Sequence, residues 1–198
     1  MRKKGRFICI EGLDASGKTT QSQILVRELQ SRGFSAEYTT EPSRGEIGQF
    51  IRTRVLQRRN RVPPVVEALL FAVDRVDHME TGIKPALDEG KVIVSDRYVY
   101  SSLAYQGATG LDLNWIEEIN RLTLTPDLAI YIDVPPEVVV KRIRRRRSVM
   151  ETLQTQQKVR EVYLALVADR RLVLVDGNRP KKVVSREILA LALDILKN

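Results

Sequence analysis

GLDASGKT, residues 12–19, is the stretch of sequence that decides the fold. It fits the pattern G-x-x-x-x-G-K-[ST], which cradles phosphates when it connects a strand to a helix. A short run of β-branched, aromatic and sulfur side chains, Arg6 to Glu11, precedes it, and a helical stretch that ends near Gly33 follows it. We therefore expect a P-loop, in which glycines let backbone N–H groups face an anion at the positive end of a helix dipole.

The polar side chains of this loop predict a nucleoside triphosphate as its ligand. Lys18 supplies a full positive charge for the β- and γ-phosphates, and the hydroxyl of Thr19 can ligate Mg²⁺. The loop and the residue after it are the predicted binding residues for ATP: Gly12, Leu13, Asp14, Ala15, Ser16, Gly17, Lys18, Thr19 and Thr20.

Further strands are predicted along the chain, separated by segments of helical length. They lie at residues 35–40, 92–94, 128–132 and 172–175, after the first strand at residues 6–11. Together they predict an α/β fold of the P-loop NTPase type, with a five-stranded, mostly parallel sheet and helices on both faces. We find no repeat or linker, so one domain over residues 1–198 is expected.

Composition limits the class of protein and its surroundings. Apolar runs such as Leu128 to Ile132 are strand-sized, against the roughly 20 residues of a membrane-spanning helix. The basic N-terminus reaches Glu11 too soon to contain the apolar region of a signal peptide. The single cysteine, Cys9, excludes a disulfide within the chain, and a cytoplasmic location is expected.

The formal charge of +8 indicates an anionic partner or substrate. Nucleic acid, nucleotides and acidic surfaces all remain open on charge alone.

Segments distributed over nearly the whole chain resemble those of the thymidylate kinase family, in matching order and spacing. The most specific is DRYVYSSLAYQG, residues 96–107. The others are residues 7–12 (FICIEG), 41–42 (EP), 70–75 (LFAVDR), 125–127 (TPD), 132–137 (IDVPPE) and 176–180 (DGNRP). The resemblance implies an ATP-dependent, Mg²⁺-requiring kinase of dTMP that is usually a homodimer.

The end of the predicted third strand carries two charged residues. Asp96 emerges beside the P-loop if the sheet is parallel, which suits a contact with Mg²⁺, directly or through water. Arg97 can clamp the acceptor phosphate with its planar fork. The alternative is a structural Asp–Arg pair that closes a turn.

The remaining substrate contacts are what the resemblance implies. Phe71 can stack on a pyrimidine, and Arg75, one helical turn later, can donate to a base carbonyl; core and surface roles are the alternatives. Tyr105 would lie against the deoxyribose, where it crowds a 2′-hydroxyl. The full predicted substrate set is Asp14, Glu41, Pro42, Phe71, Arg75, Arg97, Ser101, Ser102, Tyr105 and Gln106.

A cluster of basic residues at 141–147 is by itself typical of nucleic-acid binding, whereas the family resemblance implies a lid over the donor nucleotide at about residues 142–155. The family carries a basic residue either after the P-loop aspartate or in the lid. Here Ala15 follows Asp14, so the resemblance implies a lid arginine: Arg142, Arg144 or Arg146. It also implies donor contacts from Asn178 and Arg179. Thr40 replaces an arginine found in many relatives, which leaves Arg44 as a possible substitute.

The predicted function is transfer of a phosphoryl group from ATP to dTMP, with Lys18, Arg97, Asp14 and a lid arginine as catalytic residues. A kinase of dUMP or of several deoxynucleotides is the first alternative. A P-loop ATPase that binds nucleic acid through the basic cluster is the second. No membrane partner and no specific nucleic acid are expected.

Overall fold

The computed structural model describes residues 5–56, 62–143 and 152–197. Within these residues it contains one five-stranded sheet in the order β2-β3-β1-β4-β5, and every neighbouring pair is parallel. The strands are β1 (Arg6–Gly12), β2 (Ala36–Thr40), β3 (Val92–Asp96), β4 (Leu128–Asp133) and β5 (Val173–Asp176). The predicted α/β class and strand number are confirmed, and the mostly parallel sheet is fully parallel.

Helices separate the strands along the chain. They are α1 (Lys18–Gln30), α2 (Glu46–Phe50), α3 (Pro64–His78), α4 (Lys84–Asp88), α5 (Val99–Gly107), α6 (Leu113–Ile119), α7 (Pro136–Arg142), α8 (Leu153–Ala168) and α9 (Lys181–Lys197). Short π-helical segments, Ile51–Val55 and Met79–Ile83, continue α2 and α3. In the described part of the chain, no helix is both long and apolar enough to cross a bilayer.

The central strands are covered on both faces. Successive residues of β1 from Phe7 to Gly12 are buried, as are all residues of β3, although neighbouring side chains of a strand point to opposite faces. Helix α1 packs on α9, and α5 packs on α3, α6 and α8. This burial explains why the strands read as continuous apolar runs in the sequence.

The strand order places the P-loop at the centre of the sheet. Strand β1 lies between β3 and β4, and its carboxyl end leads directly into the loop. In an open parallel sheet, ligands bind outside the carboxyl ends of the strands, where the order of connection reverses. The ends of β3 and β4, Asp96 and Asp133, therefore flank the loop.

Strand ends differ from the sequence-based boundaries by one or two residues. Ser95 and Asp96 extend β3 beyond Val94, because parallel pairing with β1 continues to Asp96. Leu172 is buried but precedes β5, which instead continues to Asp176 in register with Asp133. Both corrections depend on pairing with a neighbouring strand, which is not visible in the local sequence.

Candidate nucleotide-binding site

The backbone of the P-loop takes up conformations that its glycines permit. Gly17 has φ +103° and Gly12 has φ +155°. A Cβ on Gly12 would lie 2.6 Å from Ser16 Oγ and 2.9 Å from the carbonyl oxygen of Ile132, so the loop also closes too tightly for a side chain there. A Cβ on Gly17 would meet nothing within 4 Å, so that position needs glycine for its backbone angle.

Lys18 folds back over the loop. Its Nζ donates to the carbonyl oxygen of Leu13 at 2.7 Å, and the residue is 6% exposed. Burial, and after it the positive charge of Arg97, lowers the Lys18 pKa to about 8. Among the described residues the ammonium has a hydrogen bond to the Leu13 carbonyl and none to a carboxylate, which suits it to an incoming phosphate.

Thr19 and Asp96 meet at the start of α1. The hydroxyl of Thr19 donates a hydrogen bond to Asp96 Oδ2, and Tyr38 OH lies 3.4 Å from the same oxygen. Asp96 is 4% exposed, and its second oxygen, Oδ1, has no hydrogen-bond partner among the described residues. The sequence placed Thr19 and Asp96 in one metal site, and the fold brings them into direct contact.

Arg97 follows β3 directly, and its guanidinium contacts the P-loop and α5. One of its terminal nitrogens pairs with Asp14, and the other donates to Ser101 Oγ at 3.0 Å. The guanidinium carbon lies 4.9 Å from the centre of the Tyr105 ring. Burial alone would lower the pKa of Arg97, but Tyr105 and Asp14 raise it overall, so the guanidinium stays charged.

Lys18 and Arg97 are therefore both bonded to the P-loop. Lys18 is bonded to Leu13, Arg97 is bonded to the next residue, Asp14, and Arg97 is close enough to lower the Lys18 pKa. Arg97 also has φ +76°, an uncommon angle for a residue other than glycine. Its backbone N–H donates to the carbonyl oxygen of Ile10 at 3.1 Å, which fixes the main chain at Arg97 against β1.

Glu11 is a site residue that has no assigned role in the sequence-based prediction, although it lies in the segment FICIEG. It is fully buried, and it accepts hydrogen bonds from the N–H groups of Tyr98 and Ser101, the Ser101 hydroxyl and the Tyr163 hydroxyl. Burial raises its pKa, opposed by the Ser101 hydrogen bond and the charge of Arg97. Glu11 thereby holds the start of α5 beside Arg97. Its sequence signal is a carboxylate at the end of an apolar strand.

Glu41 and Arg75 form a buried ion pair behind this region. Arg75 Nε lies 2.7 Å from Glu41 Oε2, with the two side chains 1% and 3% exposed. The guanidinium also donates to Asn120, to the Tyr98 carbonyl at 3.3 Å and to Ser102 Oγ at 3.1 Å. Arg75 is thus tied to four protein groups, and its contact with a base stays a prediction. Asn120 had no local signal in the sequence.

Helices α3 and α5 pack together and form a wall, here called the base wall, that carries substrate residues implied by the family resemblance. Phe71 is partly exposed, one turn from Arg75 on α3, while Ser102 and Gln106 are buried on α5. Tyr105 is buried as well, and its hydroxyl has no hydrogen-bond partner in the described residues. The predicted sugar and base residues therefore line one region, adjacent to Arg97.

The segment after β2 is anchored by residues outside the predicted set. Ser43 donates its backbone N–H and hydroxyl to Asp74, at 2.7 and 2.6 Å. Arg52 donates to the carbonyl oxygens of Pro42 and Ser43. Arg44 lies 5.9 Å from the centre of the Tyr38 ring, whose hydroxyl approaches Asp96, so Arg44 is on the phosphate side of the site.

The predicted donor-side residues are only partly described. Asn178 and Arg179 lie in the connection between β5 and α9. Asn178 is exposed, and Arg179 pairs with Glu187 of α9. Arg142 is the exposed last residue of α7. Arg144 and Arg146, and most of the predicted lid, lie outside the described residues. No cluster of three or more His, Cys, Asp or Glu suited to a metal occurs in the described ranges.

Comparison with known proteins identifies the family. The family model described as thymidylate kinase matches residues 10–188. A "Probable thymidylate kinase" of Pyrococcus horikoshii is 44% identical over 170 residues, covering 82% of this chain and 83% of the relative. A "Probable thymidylate kinase" of Pyrococcus abyssi is 40% identical over 196 residues, covering 95% of this chain and 96% of the relative.

A "Thymidylate kinase" of Thermoanaerobacter sp. is 37% identical over 195 residues, covering 94% of this chain and 96% of the relative. The region matched by the family model, residues 10–188, includes the P-loop, Asp96, Arg97 and the two helices α3 and α5. With the loop geometry and these matches together, the chain belongs to the thymidylate kinase family.

Proposed function

We propose that the protein transfers the γ-phosphoryl group of ATP to dTMP, giving ADP and dTDP. The observation that carries the proposal is the joining of Lys18 and Arg97 through adjacent residues of one loop. Two cations bonded to neighbouring residues of a phosphate-binding turn can hold two phosphate groups end to end. Phosphoryl transfer depends mainly on such positioning and on charge neutralisation.

On the donor side, the P-loop amides and Lys18 hold the β- and γ-phosphates. The first N–H groups of α1 have no partner within the helix, and they face the same anion. Displacement of the Lys18–Leu13 hydrogen bond frees the ammonium for phosphate at little cost, because one hydrogen bond replaces another.

The residues beside the loop fit a magnesium ion. Mg²⁺ in kinases is commonly held by one or two protein oxygens together with substrate phosphates, and it neutralises charge there. The oxygens that would hold it are the hydroxyl of Thr19 and the buried Oδ1 of Asp96, which has no hydrogen-bond partner in the described part of the chain. A site shared with the phosphates needs no separate cluster of carboxylates.

On the acceptor side, Arg97 holds the phosphate of dTMP. In the reaction, an oxygen of this phosphate forms a bond to the γ-phosphorus while the bond from that phosphorus to the β,γ-bridging oxygen breaks. The acceptor is already anionic, so no general base is required. Asp14 and Ser101 hold the guanidinium in place before the substrate arrives.

The predicted lid completes the donor site in this proposal. Arg142, Arg144 or Arg146 would close over the transferred phosphoryl group and exclude water as a competing acceptor. Asn178 and Arg179 would contact the donor nucleotide. These roles rest on the family and on the position of Arg142 at the end of α7.

A second copy of the chain is the proposed partner. Helix α3 carries Val65, Leu69 and Val73 at four-residue spacing, and all three are exposed. This stripe lies on the opposite side of the helix from Arg75 and Phe71, so dimerisation would leave the site open. Leu69→Glu is expected to shift the molecular mass from dimer to monomer in light scattering. Leu122→Glu is the control, because Leu122 is 66% exposed outside this stripe.

The test of the function is a screen of monophosphates with ATP and Mg²⁺, followed by ADP release. We expect dTMP to give the highest kcat/KM, with dUMP next. Absence of ADP with dTMP, combined with turnover of another monophosphate, would overturn the substrate. ADP release that needs DNA or RNA and no monophosphate would instead favour the nucleic-acid-dependent ATPase.

A further inference from the structure

Glu67 and Gln106 form a buried hydrogen bond that has no role in the phosphoryl transfer described above. Gln106 Nε2 donates to Glu67 Oε1 at 3.0 Å, and the two residues are 3% and 2% exposed. Glu67 belongs to α3 and Gln106 to α5. A carboxylate in the first turn of a helix usually interacts favourably with the helix dipole from the surface. Here it is buried and directed at a neighbouring helix.

The contact lies at the predicted base site. Glu67, Phe71 and Arg75 follow one another at four-residue spacing, so they share a face of α3. Arg75 donates to Ser102, one turn before Gln106 on α5. Phe71 is partly exposed between these two cross-helix contacts. The Gln106 amide therefore borders the place where a stacked base would lie.

Glu67 sets the orientation of that amide. A carboxylate accepts hydrogen bonds, and only the nitrogen end of a glutamine amide donates them. With the nitrogen directed at Glu67, the carbonyl Oε1 is directed away from it. No described residue donates a hydrogen bond to this oxygen.

We propose that Glu67 is a positioning residue that keeps the Gln106 carbonyl available to accept a hydrogen bond from an N–H of the base. This inference rests on the proposed function. Thymine and uracil carry a hydrogen on ring nitrogen N3, whereas cytosine presents a bare acceptor there. Two acceptors facing each other are unfavourable, so the pair selects thymine and uracil against cytosine.

The experiment compares dTMP, dUMP and dCMP as acceptors. Wild-type protein must first phosphorylate dTMP; failure at this step would refute the proposed function rather than the role of Glu67. Wild-type protein must also prefer dUMP to dCMP, since this pair differs only at positions 3 and 4 of the base. Equal kcat/KM values for the two would overturn the inference.

Glu67→Gln is the informative variant, because a glutamine there can donate as well as accept. The Gln106 amide can then flip and exchange the positions of its nitrogen and oxygen. We expect KM for dTMP to rise and the dUMP-to-dCMP preference to fall by about tenfold, the effect of one hydrogen bond. The loss should fall on KM rather than on kcat. Glu161→Gln makes the same change of charge at an exposed site on α8 and should alter neither value.

The exchanged pair, Glu67→Gln with Gln106→Glu, separates positioning from bracing. It restores the helix-to-helix hydrogen bond and again presents an acceptor oxygen to the base, now from a carboxylate, so selectivity should return. This variant alone tests the inference if Glu67→Gln does not fold. Unchanged selectivity in Glu67→Gln with a lower melting temperature, or an exchanged pair that is folded but unselective, would show that Glu67 only braces the helices.

Discussion

Replacement of Arg97 by alanine tests the arrangement of the two cations. The guanidinium directs one terminal nitrogen at Asp14 and the other at Ser101, 3.0 Å away, so two nitrogens are positioned in the site. A hydrogen bond involving a charged group contributes about 1.5–3 kcal/mol, and two such bonds to the acceptor phosphate give about 3–6 kcal/mol. We therefore expect kcat/KM for dTMP to fall by about 10² to 10⁴.

Stability should respond much less than activity. The side chains of Arg97 and Asp14 are 20% and 34% exposed, and partly exposed ion pairs contribute less than about 1 kcal/mol. Alanine keeps the backbone strain of φ +76° at this position, so strain does not confuse the comparison. Arg97→Lys retains the charge but loses the planar fork, and its kcat/KM should fall by about 10- to 100-fold.

The assay couples ADP release to NADH oxidation at several concentrations of dTMP, with urea denaturation of each variant. Arg121→Ala is the control, since the Arg121 side chain is 69% exposed and pairs with Glu118 at the surface. A folded Arg97→Ala protein with kcat/KM within about threefold of wild type would refute the assignment of Arg97 to the acceptor phosphate.

Three further predictions concern the loop and the support behind it. Gly12→Ala should lower the free energy of unfolding by about 1–3 kcal/mol in urea titrations, because its Cβ meets Ser16 and the Ile132 carbonyl; no loss would contradict this. Nucleotide binding should take up a proton above pH 8 and weaken by up to about tenfold per pH unit, because phosphate favours charged Lys18, whose free pKa is about 8. Calorimetry in buffers of different ionisation enthalpy measures this uptake, and its absence in Lys18→Met is the control. Glu11→Ala should destabilise by about 2–3 kcal/mol in thermal unfolding, since the buried N–H groups of Tyr98 and Ser101 would lose their acceptor; an unchanged melting temperature would exclude this.

The local sequence was sufficient for the fold class and for the donor-phosphate loop. A P-loop is a contiguous segment, so its glycine angles, its lysine and the following helix are all written within residues 12–19. Buried parallel strands are likewise visible as apolar runs, because both of their faces are covered. Asp96 could be placed beside Thr19 because parallel strands end at one edge.

The tertiary structure decided the partners of the charged residues. Glu11 and Arg75 are far from their partners in sequence, and no local pattern shows that Arg75 is bonded to Glu41 and Asn120. The Glu67–Gln106 contact depends in the same way on how α3 packs against α5. A buried ionisable group must be hydrogen bonded, but which group satisfies it is decided only when the helices and strands pack together.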